Sequence, residues 1–169
     1  MFFTSKRVSF PISTRKAPSE STVLREAERK DLPFIRELAR SFAAFGPYEE
    51  IVPLWFSDRL VKTFVLEREK ARLGFFMLGL LFPSWLSPTL DLMAIAVVPE
   101  ERKKGLGKMM VKEALRWARK RGYRFLRAHV GCQNEPALLL FKNSGFRVKK
   151  KIEGYYPSGL TAYELVASL

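Results

Sequence analysis

The sequence predicts a single α/β (α+β) domain, and two observations carry this prediction. The first is a length of 169 residues with 47% hydrophobic content, which is enough to bury one core without disulfides or a metal. The second is the order of hydrophobic patterns, which predicts a strand, two helices, three strands, a helix, a strand, a helix and two strands. We assign this domain to residues 22–169 and treat residues 1–21 as a basic N-terminal extension with a short strand near 8–10.

The first half of the domain begins with a strand over residues 23–27. Asp31 is the expected N-cap of the first helix, because Pro33 then falls in its first turn, where proline is favoured. Gly46-Pro47 ends this helix, since neither residue continues a helical run well. The remaining elements of this half are a helix over 48–60 and strands over 63–68 and 72–82.

In the second half, residues 91–98 are almost continuously apolar, which is typical of a strand buried on both faces. The next helix, over 108–121, has apolar residues on one side, and Gly122 ends it as a C-cap. The remaining elements are a strand over 123–130, a helix over 134–143 that Gly145 stops, and strands near 146–152 and 162–166.

Cysteine and histidine are too scarce for a metal centre. Cys132 is the single cysteine and His129 the single histidine, so we expect neither an internal disulfide nor a zinc site. The uncharged stretch 73–90 is interrupted by Pro83 and Pro88 and has too few apolar residues to span a bilayer. We therefore expect a cytoplasmic protein without a membrane segment.

The chain is strongly basic. It has 30 Lys and Arg residues against 17 Asp and Glu residues, a net charge of +13. This charge favours a polyanionic partner such as nucleic acid, a membrane surface or a phosphorylated cofactor, and charge alone does not choose among them. Abundant charged residues with few amides (Gln133, Asn134 and Asn143) are typical of proteins from hot environments, so we expect a thermophilic source.

The most distinctive local pattern is a basic, glycine-containing turn between a buried strand and a helix. Such a turn directs backbone N–H groups and the positive end of the helix dipole toward one point, which suits a pyrophosphate. Its glycines let the backbone approach the phosphates closely. An ordinary solvated basic turn is the alternative explanation. The candidate phosphate-binding residues are Arg102, Lys103, Lys104, Gly105, Leu106, Gly107 and Lys108.

Two motifs resemble those of one enzyme family. Residues 102–107 match the pattern R/Q-x-x-G-x-G/A after a strand that ends in V-x-P, which resembles motif A of the GNAT superfamily of acyl-CoA-dependent N-acetyltransferases. Residues 134–146 resemble the family's block N-x-x-A-x-x-L-Y-x-K-x-G-F. The resemblance covers about residues 22–168. It implies a GNAT-like fold: a mixed, mostly antiparallel sheet of about six to seven strands, about four helices, and central strands splayed to hold acyl-CoA.

The resemblance implies acetyl-CoA as the cofactor and indicates where it binds. Backbone groups of Ile95, Ala96 and Val97 are expected to meet the pantetheine arm, and the turn described above to hold the pyrophosphate. Asn134 is expected to hydrogen-bond the cofactor, and from the residues alone it is also a good N-cap for the helix that follows. The remaining cofactor-binding residues implied in this block are Phe141, near the sulfur, and Lys142.

The resemblance offers two candidates for the catalytic base. His129 lies five residues before Asn134, where some related N-terminal acetyltransferases have histidine and others glutamate, and imidazole titrates near neutral pH. Asp91 lies eleven residues before Arg102, where lysine acetyltransferases of the family have glutamate. The alternative for both is a structural role within a strand. The family's usual tyrosine acid is replaced by Phe141, which predicts altered or slower chemistry without excluding it.

The C-terminal residues 154–163 resemble the GYYxxGxDAY hairpin of the RimI-like and archaeal N-terminal acetyltransferases, with Thr161 in place of the acidic residue. The resemblance implies that Tyr155 and Tyr156 line an acceptor groove. Because adjacent residues of a strand point to opposite faces, one of the two should face away from the core side. The turn between the first two helices, residues 45–50 with Tyr48, is the expected opposite wall.

An α-amine is the favoured acceptor. At pH 7 an α-amino group is roughly 14% neutral, whereas a lysine is roughly 0.04% neutral. The leading prediction is acetyl transfer to a protein or peptide N-terminal α-amine, and the alternatives are a polyamine-type small amine or a lysine. A third class is a non-catalytic domain that binds CoA or docks on ribosomes or RNA. The expected assembly is a monomer or homodimer.

Overall fold

The structure is a computed structural model that describes residues 21–81 and 88–169. These residues form seven strands and four α-helices in the predicted order. The strands are β1 (Thr22–Glu26), β2 (Lys62–Arg68), β3 (Ala71–Gly79), β4 (Thr89–Val97), β5 (Phe125–Gly131), β6 (Arg147–Ile152) and β7 (Ala162–Ser168). The helices are α1 (Leu32–Ala39), α2 (Tyr48–Ser57), α3 (Leu106–Lys120) and α4 (Glu135–Asn143). The predicted strand at 8–10 lies outside the described residues, as does residue 82, the predicted end of the strand from 72; within the described residues that strand ends at Gly79.

The strands form one sheet in the order β1-β2-β3-β4-β5-β7-β6. Every neighbouring pair is antiparallel except β4 and β5, which are parallel. A parallel pair needs a crossover connection, and α3 supplies it between these two strands. The mixed, mostly antiparallel sheet expected from the resemblance is therefore confirmed.

Helices cover both faces of the sheet and divide the core in two. On the face of α3 and α4, Phe76 packs with Met110 and Leu126. On the face of α1 and α2, Phe75 packs with Ile35. Alternate residues of β3 thus enter different halves of the core, which explains why this strand is apolar without interruption from Leu73 to Gly79.

A buried carboxylate connects β1, β3 and the entrance to α1. Asp31 is fully buried, and its oxygens lie 2.7 Å from Arg25 Nη1 and 2.6 Å from Arg72 Nε. It also accepts a hydrogen bond from the Glu28 amide at 2.8 Å. Burial alone would raise the pKa of this carboxyl, but the hydrogen bonds from Arg25, Glu28 and Arg72 outweigh burial and hold the pKa well below its usual range.

Two details of the helices differ from the predictions. Asp31 precedes α1 as expected but does not cap it with its side chain, because both carboxylate oxygens are held by the arginines and the Glu28 amide. Helix α3 begins at Leu106, two residues before the predicted start, because Gly105 in the left-handed conformation serves as its N-cap residue. The longest helix among the described residues is α3, with 15 residues. No helix in this part of the chain is long and apolar enough to cross a membrane.

Candidate active site

The central strands β4 and β5 separate part-way along their length. They pair only over residues 89–92 and 125–128, although β4 continues to Val97 and β5 to Gly131. Beyond this point the facing edges of the two strands have no ladder bonds to each other within the described residues. The expected splaying of the central strands is confirmed, and it opens a cleft between them.

A β-bulge lies where the strands part. In the pairing of β3 with β4, Met77 lies opposite Ala94 and Leu78 opposite Leu92, so Met93 is the extra residue. Leu92 packs on the face of α3 and α4, whereas Ala94 packs on the face of α1 and α2. The bulge therefore changes which residues of β4 face the cleft, as an extra residue in one strand does in general.

The cleft contains a cavity with a mainly apolar lining. Its walls come from both splayed strands, from the region between α1 and α2, from the start of α4 and from the loop between β6 and β7. The lining residues are Phe42, Phe45, Tyr48, Leu92, Met93, Ala94, Ile95, Ala128, His129, Val130, Gly131, Asn134, Ala137, Phe141 and Tyr156.

The three residues predicted to meet the pantetheine arm lie on the splayed part of β4. Ile95 lines the cavity, while Ala96 is buried on the face of α1 and α2. All three pair with β3 on one side, with Val97 opposite Gly74. Their other side faces the cleft, where β5 no longer pairs with β4. This edge fits the backbone contacts expected of an extended ligand.

The basic turn after β4 fits a phosphate group. Gly105 adopts a φ of +83° and precedes α3, whose N-terminus has no side-chain cap. The first helical hydrogen bond runs from Met109 N to Gly105 O at 3.1 Å. The N–H groups of Leu106, Gly107 and Lys108 therefore precede the intrahelical ladder and can donate to a ligand.

The cations of this turn differ in how they are held. Arg102 Nε donates to the Val97 carbonyl at 3.0 Å, which ties the turn to the end of β4. Lys104 Nζ lies 3.4 Å from the carboxylate of the glutamate three residues before it. Among the described residues, Lys103 and Lys108 have no ion-pair partner. The turn can therefore offer charge to a polyanion without first breaking every ion pair.

The two glycines of the motif have different roles. A Cβ at Gly105 would meet nothing within 4 Å, so the left-handed φ is what requires glycine there. A Cβ at Gly107 would lie 3.3 Å from Leu140 Cδ2 of α4. The small size of Gly107 therefore serves the close packing of α3 against α4, a role that the sequence analysis did not include.

The start of α4 contributes the remaining predicted cofactor residues. Asn134 Oδ1 accepts a hydrogen bond from Ala137 N at 3.3 Å, so it is the N-cap of α4, and the residue also lines the cavity. Phe141 lines the cavity as well, and its ring packs against Phe146 with 5.0 Å between centroids. Lys142 is exposed and lies outside the cavity lining, so its contact with a cofactor stays a prediction.

His129 lies in the cavity wall with little solvent around it. Its side chain is 5% exposed, and Nε2 lies 3.4 Å from Oε2 of Glu164 on β7. The ring of Tyr155 is stacked on the imidazole with 4.3 Å between centroids. Burial lowers the pKa of His129, the nearby Arg127 lowers it further, and Glu164 acts against both. The imidazole is consequently neutral at neutral pH and able to accept a proton.

Asp91 has a different environment from the one expected of a base. Its carboxylate is buried. It accepts hydrogen bonds from Arg127 Nε at 2.6 Å, from Arg127 Nη2 at 3.1 Å and from the Leu81 amide at 3.0 Å. Asp91 is not among the residues that line the cavity. Hydrogen bonds raise the pKa of the Arg127 guanidinium, with Asp91 as the first cause. Both oxygens are therefore committed to holding Arg127 and the segment that follows β3.

The three predicted acceptor tyrosines meet in one aromatic cluster. Tyr155 and Tyr156 lie in the loop between β6 and β7, with their rings 5.0 Å apart at 88°. The expectation that strand alternation sends one of them away from the core was wrong, because neither residue is in a strand. The ring centroids of Tyr48 and Tyr156 lie 6.4 Å apart in an edge-to-face contact, and both residues line the cavity. Burial raises the pKa of Tyr155 to about 12 and raises that of Tyr156 further, so both hydroxyls stay protonated.

Two functional candidates were not found from the sequence: Glu164 and Arg127, which flank His129 from β7 and β5. Phe45 belongs to the turn that was predicted as a groove wall, but its contact with the end of β5 at Gly131 was not predicted. Glu164 lies opposite His129 in the β5–β7 register, which spacing alone does not reveal because the two residues are far apart in sequence. The alternation along β5 could have indicated that Arg127 and His129 share one face.

Comparisons with known proteins give one family. The model of the acetyltransferase (GNAT) family matches residues 24–146, which is well over half of the chain. The chain is also 34% identical, over 61 residues, to an uncharacterized N-acetyltransferase from Methanocaldococcus jannaschii. That match covers 36% of this chain and 27% of the relative, so the chain spans only about a quarter of the length of this relative.

Solved structures with the same fold have different acceptors in their names. The ribosomal-protein-S18-alanine N-acetyltransferase of Escherichia coli gives a TM-score of 0.74 at 21% identity, over 87% of this chain and 93% of that one. The spermidine N-acetyltransferase of Vibrio cholerae, in complex with CoA and spermine, gives a TM-score of 0.73 at 21% identity, over 87% of this chain and 95% of that one. At this identity the likeness shows the fold and leaves the acceptor open.

Proposed function

The chain belongs to the acetyltransferase (GNAT) family, and from this premise we propose that it transfers an acetyl group from acetyl-CoA to the α-amino group at the terminus of a peptide or protein. Acetyl-CoA is the acetyl donor of this family, and when bound it supplies an activated thioester. The turn 102–108 would hold its phosphates, and the free edge of β4 with Asn134 and Phe141 would hold the part that enters the cavity.

The observation that carries the choice of acceptor is the lining of the cavity. Among the described residues, it has aromatic, aliphatic and small side chains, His129 and Asn134, and no carboxylate. The two carboxylates that act on His129 are both engaged, Asp91 by Arg127 and Glu164 by Arg127, Lys150 and His129. A polyamine carries several positive charges. Burying such charges among apolar side chains, without a carboxylate to pair with them, costs free energy. A single α-amine next to a neutral imidazole fits this lining better.

His129 is the base of the proposed reaction. Its neutral imidazole accepts a proton from the α-ammonium group, which leaves a neutral amine as the nucleophile. The amine nitrogen then forms a bond to the thioester carbon and the carbon–sulfur bond breaks. Because Phe141 cannot donate a proton, the thiolate takes its proton from water or from the attacking nitrogen, which carries an extra proton once it has bonded to the acyl carbon. Asp91, whose oxygens are held by Arg127 and Leu81, has no part in these steps.

A thiol-release assay with a panel of acceptors tests this function. The panel contains peptides with free and with blocked amino termini, each with and without lysine, and spermidine. We expect release of CoA only with free-terminus peptides, and loss of release in His129→Gln with acetyl-CoA binding retained by calorimetry. Release with spermidine or with blocked lysine peptides would reassign the acceptor.

Phe141 supports one alternative. It is buried at the position where the family has its tyrosine acid, so a non-catalytic CoA-binding role is the second candidate. CoA binding without thiol release from any acceptor would select it.

The basic surface supports an encounter with acceptors near ribosomal RNA in the cytoplasm. Exposed cations on the edge strand β6, namely Arg147, Lys149 and Lys151, have no ion-pair partner among the described residues. Charge attraction of this kind weakens as salt is added. Co-sedimentation with ribosomes that is lost at moderate salt would support this part, and its absence at low salt would remove it.

A further inference from the structure

A carboxylate faces the only histidine of the chain from the neighbouring strand. His129 on β5 and Glu164 on β7 are directly opposite in the antiparallel register. Nε2 of the imidazole lies 3.4 Å from Oε2 of the carboxylate, with side-chain exposures of 5% and 14%. Opposite side chains on one face of an antiparallel pair interact directly, so Glu164 is placed to act on the imidazole.

The imidazole is also held on one ring face. The Tyr155 ring lies nearly parallel to it, at an interplanar angle of 13° and a centroid distance of 4.3 Å. Stacking fixes the plane of the His129 ring, while the Glu164 carboxylate fixes which edge points toward β7. The orientation of the ring is therefore set from two directions.

Charged groups around this pair keep Glu164 in place. Arg127 Nη1 and Lys150 Nζ lie 4.0 Å and 3.8 Å from the same Oε2 atom. Arg127 is itself held by Asp91 at 2.6 Å. A chain of charges thus runs from the buried Asp91 through Arg127 to Glu164 and ends at His129.

This arrangement selects one tautomer. A neutral imidazole carries one N–H, and an ionised carboxylate only accepts hydrogen bonds. The N–H therefore belongs on Nε2, which faces Glu164. Nδ1 then carries the free lone pair, and it has no hydrogen-bond partner among the described residues.

We propose that Glu164 is a positioning residue that holds His129 in the Nε2-protonated tautomer and leaves Nδ1 as the nitrogen that accepts the proton of the acceptor amine. The tautomer of His129 concerns the resting protein alone, and only the role of Nδ1 as proton acceptor rests on the proposed function. Tyr155 assists by holding the plane of the ring.

The titration of His129 follows from all the groups that face it. Burial and Arg127 lower the pKa of His129, whereas Glu164 on β7 and Asp91 on β4 raise it. Lys150 on β6 acts through its contact with Glu164, and Tyr155 remains neutral near physiological pH because burial raises its pKa to about 12. Removing the charge of Glu164 therefore lowers the pKa of His129 further.

Nitrogen-15 NMR of the imidazole tests the tautomer directly, because His129 is the single histidine and its signals need no assignment by mutation. In the wild-type protein above the pKa of His129, we expect a protonated Nε2 and an unprotonated Nδ1. In Glu164→Gln we expect mixed tautomers and an imidazole titration midpoint at lower pH. Glu69→Gln, which removes the same charge from an exposed turn, is the matched control and should leave the His129 tautomer and its titration midpoint unchanged. A protonated Nδ1 in the wild-type protein would overturn the proposal even if the variant failed to fold.

Kinetics then tests the role of Nδ1 as proton acceptor. We expect Glu164→Gln to lower kcat by at least tenfold with little change in KM, and Glu164→Asp, which keeps the charge, to recover part of the loss. Unchanged kcat in Glu164→Gln with altered tautomers would overturn the role of Nδ1 in proton transfer. Absence of acetyl transfer in the wild-type protein would overturn the proposed function and leave the NMR result standing.

Discussion

The ring of Phe45 lies directly on the backbone of Gly131, so closely that a Cβ at Gly131 would overlap it. The contact joins the segment between α1 and α2 to the end of β5. The β6–β7 loop is held to the same segment, because Ser158 N donates to Phe45 O at 3.1 Å and the rings of Phe45 and Tyr156 lie 4.6 Å apart. Together these contacts close one side of the cavity that contains His129.

Gly131→Ala should therefore open this side of the cavity. We expect the Phe45 ring to be displaced, a loss of about 1–3 kcal/mol in the free energy of unfolding from overpacking, and a higher KM for the peptide. Denaturant unfolding and steady-state kinetics measure both effects. The double variant Gly131→Ala/Phe45→Ala should recover KM in part, because the clash is gone. Additive effects of the two substitutions would contradict direct coupling.

The glycine before α3 should matter for CoA and not only for stability. Gly105→Ala and Gly122→Ala are a matched pair, since both glycines have a left-handed φ and neither Cβ would meet an atom within 4 Å. Each should lower stability by about 1 kcal/mol, because alanine is strained in this conformation. Only Gly105→Ala, at the N-terminus of α3, should weaken CoA binding measured by calorimetry. Equal CoA affinities in the two variants would remove the turn from the binding site.

Acid should remove the stabilisation given by Asp31. The pKa of this carboxyl is lowered in the folded protein, so its contribution is fully present above the ordinary pKa near 3.8 and is lost as the pH falls toward the folded value. Asp31→Asn removes the buried charge that pairs with both Arg25 and Arg72, leaves Arg25 with Glu67 alone, and should cost about 3 kcal/mol at neutral pH. In denaturant titrations this cost should shrink below the ordinary pKa. A cost that is independent of pH would contradict the ion-pair explanation.

The pH dependence of kcat should report His129. Because burial lowers the pKa of His129 below its ordinary 6.5, kcat should rise with pH and level off below that value. His129→Gln should lower kcat by about 10²–10⁴-fold and abolish this limb. Ionisation of the acceptor amine affects kcat/KM, so kcat is the quantity to follow. A limb that persists in the variant would assign it to another group.

Much of the fold was predictable because the apolar spacing is regular. The basic turn, the Asn134 cap and the order of the elements were all predicted, and each depends on residues close together in sequence. Glu164 and the contact of Phe45 with Gly131 were missed because both depend on contacts across the fold, that of Glu164 being with His129.

Tertiary contacts also explain two of the differences from the predictions. Asp31 has a typical capping side chain, yet two arginines from other elements hold it. The Tyr155-Tyr156 pair resembles strand sequence, but the loop that contains it packs against the segment between α1 and α2.

The few amides and many charged residues predict high thermal stability. We expect a Tm above the range of about 45–65 °C that is usual for mesophilic domains, measured by circular dichroism. A Tm inside that range would contradict the thermophilic source.

The most direct test of the central claim uses one peptide that has both a free α-amine and an internal lysine. The protein is incubated with this peptide and acetyl-CoA, and tandem mass spectrometry locates the acetyl group. The proposed function predicts acetylation of the terminal nitrogen alone, with loss of product in His129→Gln. Acetylation of the lysine, or an unmodified peptide despite bound acetyl-CoA, would contradict it.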